Sequence, residues 1–145
     1  AKYCPGKSKI QGRDHWLKAL KHAVDVYGPG RVNTHFVTGF MEPEESLLEG
    51  VEWMSENGIG SIPLIWSPVE GTRYNKFRAP YGEWFVEMGM KIADIRLKHE
   101  CGIFESAALP NDCYLCAMPS VIAEALRLRK VEKKFEVKKK EVAPA

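Results

Sequence analysis

Three stretches of this chain combine residue types and spacing that could do chemistry. The first runs from His35 to Glu42, where a glycine closes an apolar segment just before an acidic helix start. The second is Pro68-Val69-Glu70-Gly71-Thr72, a turn built on a proline and a glycine. The third is Cys113-Tyr114-Leu115-Cys116, a spacing that lets two thiolates reach one metal ion.

The first two stretches lie at the ends of predicted β-strands. Val, Thr and Phe enrichment predicts a strand from Arg31 to Phe40, and an apolar run predicts another from Ile59 to Trp66. Alternation places one set of residues together on the open face of the first strand, namely Asn33, His35, Val37 and Gly39. Parallel β/α proteins bind ligands at the carboxyl ends of their strands, so we expect a binding surface here.

This open face has the chemistry of a nucleoside-sized site. Gly39 would let a ligand approach the backbone closely, and Val37 offers an apolar surface to a flat ring. Asn33 and His35 supply hydrogen-bond donors and acceptors. A strand that ends on glycine before an acidic helix is also common without any ligand, so a purely structural interpretation stays open on these features alone.

Helices are predicted on either side of both strands. They run from about Asp14 to Tyr27, from Pro43 to Asn57 and from Tyr81 to His99, and a last one begins near Pro119. Strands that alternate with helices predict an α/β fold with parallel, right-handed crossovers. Two strands, or three with a short one predicted at Gly102 to Ser106, make less than half of an eight-stranded barrel.

Composition narrows the class of protein. The chain has 145 residues, of which 45% are hydrophobic, which is typical of a globular domain rather than a disordered segment. No apolar run approaches the roughly 20 residues that span a bilayer, and no basic-then-apolar secretory signal is seen, so we expect a cytoplasmic protein without a membrane partner. Net charge is +2, with basic residues concentrated from Arg127 to Lys140. Such a tail could bind an acidic partner or nucleic acid, but a solvated helix end is the preferred interpretation.

The two strand-end motifs resemble those of radical S-adenosylmethionine (SAM) enzymes of the biotin-synthase-like branch. That family has a strand of the form Gly-x-Ile-x-Gly-x-x-Glu that contacts the adenine of SAM. The run His35-x-Val37-x-Gly39-x-x-Glu42 corresponds to it, with His35 in place of the first glycine. The next strand of the family leads into Pro-x-x-Gly-Thr, which Pro68 to Thr72 matches. The resemblance covers roughly residues 3–100.

The resemblance implies a partial (β/α) parallel barrel of radical SAM type, with two to three strands and flanking helices. Residues 1–118 would be the C-terminal part of the barrel, and residues 119–145 a C-terminal helix and basic tail. The residues that it places around SAM are Asn33, His35, Val37, Gly39, Glu42, Pro68, Gly71, Thr72 and Arg73. Arg73, with Lys76 and Arg78, could hold a carboxylate of SAM or of a small organic substrate, or could be an ordinary surface charge. Catalytic residues are not assigned.

The motif that holds the catalytic cluster of this family is absent from the sequence. The family binds a [4Fe–4S] cluster through Cys-x-x-x-Cys-x-x-Cys, and no such spacing occurs here. We therefore expect the chain to be inactive alone and to need a missing N-terminal barrel half, either in a longer polypeptide or as a partner subunit. Joined to that half, it would generate a 5′-deoxyadenosyl radical. The rival hypothesis is a non-catalytic α/β interaction module with a metal-stapled Cys-x-x-Cys loop and a basic tail.

Cys113 and Cys116 do not complete a metal site by themselves. Cys101, Cys4, a histidine or a second chain would have to supply further ligands. Three interpretations remain open: an auxiliary iron–sulfur cluster or zinc, inert thiols, and a redox pair. The histidines on predicted helices have no acid or nucleophile placed beside them by spacing and are interpreted as structural: His15, His22 and His99.

Overall fold

A parallel β–α–β unit organises the protein. The computed structural model describes residues 9–101, 121–129 and 132. In chain order its elements are α1 (Arg13–Tyr27), β1 (Val32–Thr38), α2 (Glu44–Glu56), β2 (Ile59–Ile65) and α3 (Gly82–Lys98), followed by a helix α4 over 121–129. The strands pair in parallel, with Val32 opposite Ile59 and Thr38 opposite Ile65. The described part is therefore of the α/β type, and the larger barrel stays a prediction.

Glycine, proline and acidic residues set the element ends. Gly12 is the N-cap of α1, so Asp14, where the sequence predicts this helix to begin, lies in its first turn. Gly28 follows α1 with φ of +93° and donates its N–H to the Val24 carbonyl at 2.8 Å. Pro43 precedes α2, whose first turn carries acidic residues that favour the positive end of the helix dipole.

The two faces of β1 differ in burial as the alternation predicts. The buried residues are Val32, Thr34 and Thr38, and the exposed ones are Asn33, His35 and Val37. The helices pack on the first set. The second set is the open face of β1, whereas two positions of β2 aligned with it, Gly60 and Ile62, are buried.

One main core lies between the sheet and helices α2, α3 and α4. Its buried members are Leu47, Val51, Phe85, Met88, Ile92, Ala93, Ile122, Ala125 and Leu126. A smaller cluster holds α1 to the sheet through Leu20, Val32 and Ile59. Helix α4 thus shares a core with α2 and α3. A domain boundary at residue 118 stays a prediction, and the predicted strand from Gly102 to Ser106 lies outside the described residues.

None of the helices among the described residues combines the length and apolar character that crossing a bilayer requires. The longest, α3, has 17 residues. Its outer side forms polar contacts with α2: Lys91 lies 3.5 Å from a carboxylate oxygen of Glu44, and Trp84 Nε1 donates to the same side chain at 2.6 Å. These contacts fix α3 beside α2 on the buried side of the sheet.

Helices α3 and α4 approach each other closely at Gly89. A Cβ atom there would lie 2.6 Å from Val121 Cγ1. We expect Gly89→Ala to lower the free energy of unfolding by about 1–3 kcal/mol, because α4 must move to make room. Gly50→Ala, in α2, is the matched control: its Cβ would meet nothing within 4 Å, and we expect a gain of up to about 1 kcal/mol. Urea denaturation compares them, and shifts of the same sign would contradict the packing argument.

Candidate functional site

The carboxyl ends of the two strands lie side by side. The Trp66 N–H donates to the Thr38 carbonyl at 3.0 Å, which extends the parallel ladder one residue past β2. After β1 the backbone turns sharply, with positive φ at Gly39 (+78°) and at Met41 (+55°). This turn leads directly into α2, so both predicted strand-end motifs meet at the same edge of the sheet.

Gly39 is tightly packed on the side where a side chain would project. A Cβ atom there would lie 3.0 Å from Pro80 Cδ and 3.1 Å from Phe85 Cζ. The glycine is therefore required by both backbone conformation and packing against α3. Close approach of a ligand to the Gly39 backbone stays a prediction.

An aromatic cluster closes this edge of the sheet, and sequence reasoning missed it. Phe40 stacks on Trp66 with ring centroids 4.1 Å apart, and Tyr74 and Phe77 meet Phe40 edge-on at 5.0 Å each. These contacts hold the loop of residues 67–80 against the end of β1. The sequence signal that could have predicted this cluster is an aromatic residue at the end of each strand, followed by two more in the loop after β2.

The predicted turn after β2 is present and exposed. The Thr72 hydroxyl donates to the Val69 carbonyl at 2.7 Å, and the Thr72 N–H donates to the same oxygen at 3.3 Å. Gly71 has φ of +77° and open space beside it. Pro68 is exposed as well. Backbone groups on this turn are thus accessible at the same end of the sheet as the aromatic cluster.

The basic residues of the loop differ in their surroundings. The Arg73 guanidinium lies over the Tyr74 ring, 5.6 Å from its centroid. This is a favourable cation–π arrangement. Arg78 donates to the Asn75 carbonyl at 2.9 Å and helps to close the loop. Arg73 and Lys76 are exposed. Arg73 is therefore the better placed of the two arginines to meet an anionic group.

The structure groups some predicted residues and separates others. Val37 lies at the strand end near the turn, whereas Asn33 lies at the beginning of β1, about 13 Å away at roughly 3.3 Å per strand residue. The Asn33 side chain covers Gly60, since a Cβ there would lie 1.9 Å from Asn33 Oδ1. Glu42 is exposed and accepts a hydrogen bond from Ser46 Oγ at 2.9 Å. A single nucleoside at the strand end would therefore lie far from Asn33.

Cys101 is buried at the far end of α3, and Cys4, Cys113 and Cys116 lie outside the described residues. Burial raises the pKa of the Cys101 thiol. Burial also lowers the pKa of the nearby Arg96 guanidinium to about 10. Arg96 donates to Ser61 Oγ at 3.2 Å. Burial therefore favours the neutral thiol of Cys101, while the Arg96 charge favours the thiolate.

The two glycines of this edge allow strain and crowding to be separated. Gly39→Ala is expected to cost about 2–4 kcal/mol, because the positive φ costs about 1–2 kcal/mol and the Cβ also crowds Pro80 and Phe85. Gly71→Ala has the same backbone strain but open space, so we expect only about 1–2 kcal/mol. Thermal and urea unfolding of both variants measures the difference. Equal losses would show that packing around Gly39 contributes nothing.

The described structure is thus of the parallel β/α class, with exposed polar and apolar groups at the carboxyl edge of its sheet. Over 97 residues the chain is 36% identical to a bacteriochlorophyllide c C-7(1)-hydroxylase of Chlorobaculum limnaeum. The match covers 67% of this chain and 24% of that enzyme, so the chain spans about a quarter of its relative's length. No protein-family model and no solved structure matches the chain.

Proposed function

We propose that this chain is the carboxyl-terminal part of a radical SAM enzyme of the biotin-synthase-like branch. The observation that carries the proposal is that β1, α2 and β2 bring the two family-like motifs to one edge of a parallel sheet. The similarity to a hydroxylase supports it from an independent direction. The rest of the barrel would come from a longer polypeptide or from a partner subunit.

The exposed surfaces of the described part support a larger assembly. Parallel sheets are normally covered on both faces and have more than two strands. Here Val37 on the open face is 51% exposed, and Trp16 and Tyr27 on α1 are 52% and 66% exposed. In the described part each strand pairs with a single neighbour. The rest of a barrel would pair the free edges of β1 and β2 and pack on the side chains of α1, and it would leave Val37 facing the SAM site.

The residues at the strand ends fit SAM. Val37 provides an exposed apolar surface for the adenine, and the turn after β2 offers backbone groups to the ribose. The Trp66 indole N–H is buried and has no hydrogen-bond partner within residues 9–101 and 121–129, so this edge still has a donor to satisfy. Arg73 could pair with the methionine carboxylate. A reduced [4Fe–4S] cluster held by the missing part of the barrel would supply the electron that cleaves SAM, and the resulting radical chemistry would remove a hydrogen atom from a substrate.

The relative's name indicates the kind of bond on which the complete enzyme would act. That enzyme hydroxylates a carbon of bacteriochlorophyllide c, and hydroxylation replaces a C–H bond with a C–OH bond. Breaking a C–H bond is also what a 5′-deoxyadenosyl radical does. We propose an organic substrate of the tetrapyrrole type, held above the strand ends with its reacting C–H near the SAM site.

Cluster content and SAM binding test this proposal. Anaerobic iron and sulfide analysis, with SAM calorimetry, would be done on this chain and on the complete polypeptide or complex that contains it. We expect a [4Fe–4S] cluster, SAM binding and reductant-dependent release of 5′-deoxyadenosine from the complete protein only. A complete protein that lacks iron–sulfur and ignores SAM, but retains zinc, would overturn the proposal and favour the interaction module.

A further inference from the structure

A second group of ligand-type side chains lies at the opposite edge of the sheet, where the strands begin. Helix α2 ends at Glu56 and α3 ends at Lys98, with His99 as its C-cap. His99 lines one cavity with Asn57 and Gly58, just before β2, so both helix ends lie near the start of that strand. The negative ends of two helix dipoles meet here, and such ends favour a positive charge. This group is remote from the candidate SAM site and is independent of the proposed function.

Three side chains converge at this edge. Glu52, Glu56 and His99 each offer one ligand atom, and these atoms all lie within 4.8 Å of one another. His99 Nε2 is 2.6 Å from Glu52 Oε1. The two glutamates are one helical turn apart and share a face of α2. Glu52 Oε1 also accepts from Lys98 Nζ, so one ammonium competes for this position.

A buried hydroxyl beside Glu56 and His99 provides an independent indication of a ligand. Ser55 is 3% exposed, and its Oγ has no hydrogen-bond partner in the described ranges. Ser55 lines the same cavity, of about 350 Å³, as Glu56, His99 and Asp25. A buried polar atom left unpaired costs about 1–3 kcal/mol. A cation with its bound water in this cavity would give Ser55 a partner.

We propose that Glu52, Glu56 and His99 bind a divalent cation of the zinc type, which ties the end of α2 to the end of α3. An imidazole with two carboxylates is a ligand set that suits zinc, whereas magnesium and calcium prefer oxygen ligands alone. Three protein ligands leave a fourth position for water, which can reach the cavity that Ser55 lines. When the cation binds, Lys98 leaves Glu52 for solvent.

The site is distinct from the Cys-x-x-Cys loop, because its ligands are oxygen and nitrogen atoms. The two kinds of site can therefore be told apart by spectroscopy.

The test uses the 145-residue chain with Cys4, Cys113 and Cys116 changed to serine, so that thiolates do not capture the metal. We expect added Zn²⁺ to raise the unfolding temperature by several degrees through preferential binding to the folded state. Co²⁺ should give d–d absorption without a thiolate charge-transfer band. No shift with Zn²⁺ in this background would overturn the proposal and leave an ion-pair network only.

Single substitutions test which side chains bind the cation. We expect Glu56→Gln and His99→Gln to weaken Zn²⁺ binding at least roughly tenfold, because each removes a ligand. Glu49→Gln, on the same helix but outside the three-residue group, is the matched control and should bind as the parent does. Lys98→Met should bind Zn²⁺ more tightly, because it removes the competitor for Glu52. Equal losses for Glu49→Gln and Glu56→Gln, or weaker binding by Lys98→Met, would contradict the assigned ligands.

Discussion

Replacing Val37 by aspartate is expected to weaken SAM binding by the complete enzyme roughly 100-fold, or about 2.7 kcal/mol, without a loss of stability. Val37 is 51% exposed at the end of β1, so the fold does not depend on its burial. An ionised carboxylate at this place would have to lose water against the adenine ring, which is unfavourable. Calorimetry on the complete protein measures the affinity, and thermal unfolding measures the stability.

Val86 provides a control with the same residue type and nearly the same exposure. It is 52% exposed on α3, the helical side of the sheet. We expect Val86→Asp to change neither SAM affinity nor stability by more than about 0.5 kcal/mol. If Val37→Asp binds SAM as well as Val86→Asp does, the open face is not the nucleoside surface and the proposed SAM site is wrong.

The positions of helices and strands were predictable because local signals set their ends. The strand predicted from Ile59 to Trp66 is Ile59–Ile65, and the helix predicted from Tyr81 to His99 is Gly82–Lys98. In each case a turn rich in glycine or proline interrupts the hydrophobic period. Alternation along β1 likewise predicted which side chains are exposed, since successive residues of a strand point to opposite faces.

Contacts between distant segments were not predictable in this way. The sequence interprets His99 as structural because spacing places no acid or nucleophile partner beside it, but α2 brings Glu52 to 2.6 Å from its Nε2. The clustering of Phe40 with Tyr74 and Phe77 depends on how the loop folds back. Gly39 was attributed to ligand approach, while its packing against Pro80 is visible only in three dimensions. Hydrophobic periodicity predicts which face of a helix or strand is buried. It does not predict which two faces pack against each other.

The aromatic cluster leads to the second large expected effect. Phe40→Ala should release the loop of residues 67–80, because Phe40 contacts Trp66, Tyr74 and Phe77. A fully buried Phe→Ala change costs about 3–5 kcal/mol, and the partial exposure of Phe40 reduces this to about 2–3 kcal/mol. Trypsin can cut this loop after its Lys and Arg residues. Cleavage follows the population of the open form, so we expect it to be roughly 50-fold faster.

The Tyr81→Ala variant is a control that distinguishes loss of the aromatic cluster from loss of any aromatic side chain. Tyr81 is 87% exposed, so Tyr81→Ala should leave the cleavage rate within about twofold of the parent, as expected for an exposed position. Phe40→Leu should fall between the two variants, because it keeps apolar volume but loses the ring contacts. Equal rates for Phe40→Ala and Tyr81→Ala would mean that other contacts hold the loop. A selective increase with Phe40→Ala would show that the turn carrying Gly71, Thr72 and Arg73 depends on this ring for its place beside β1.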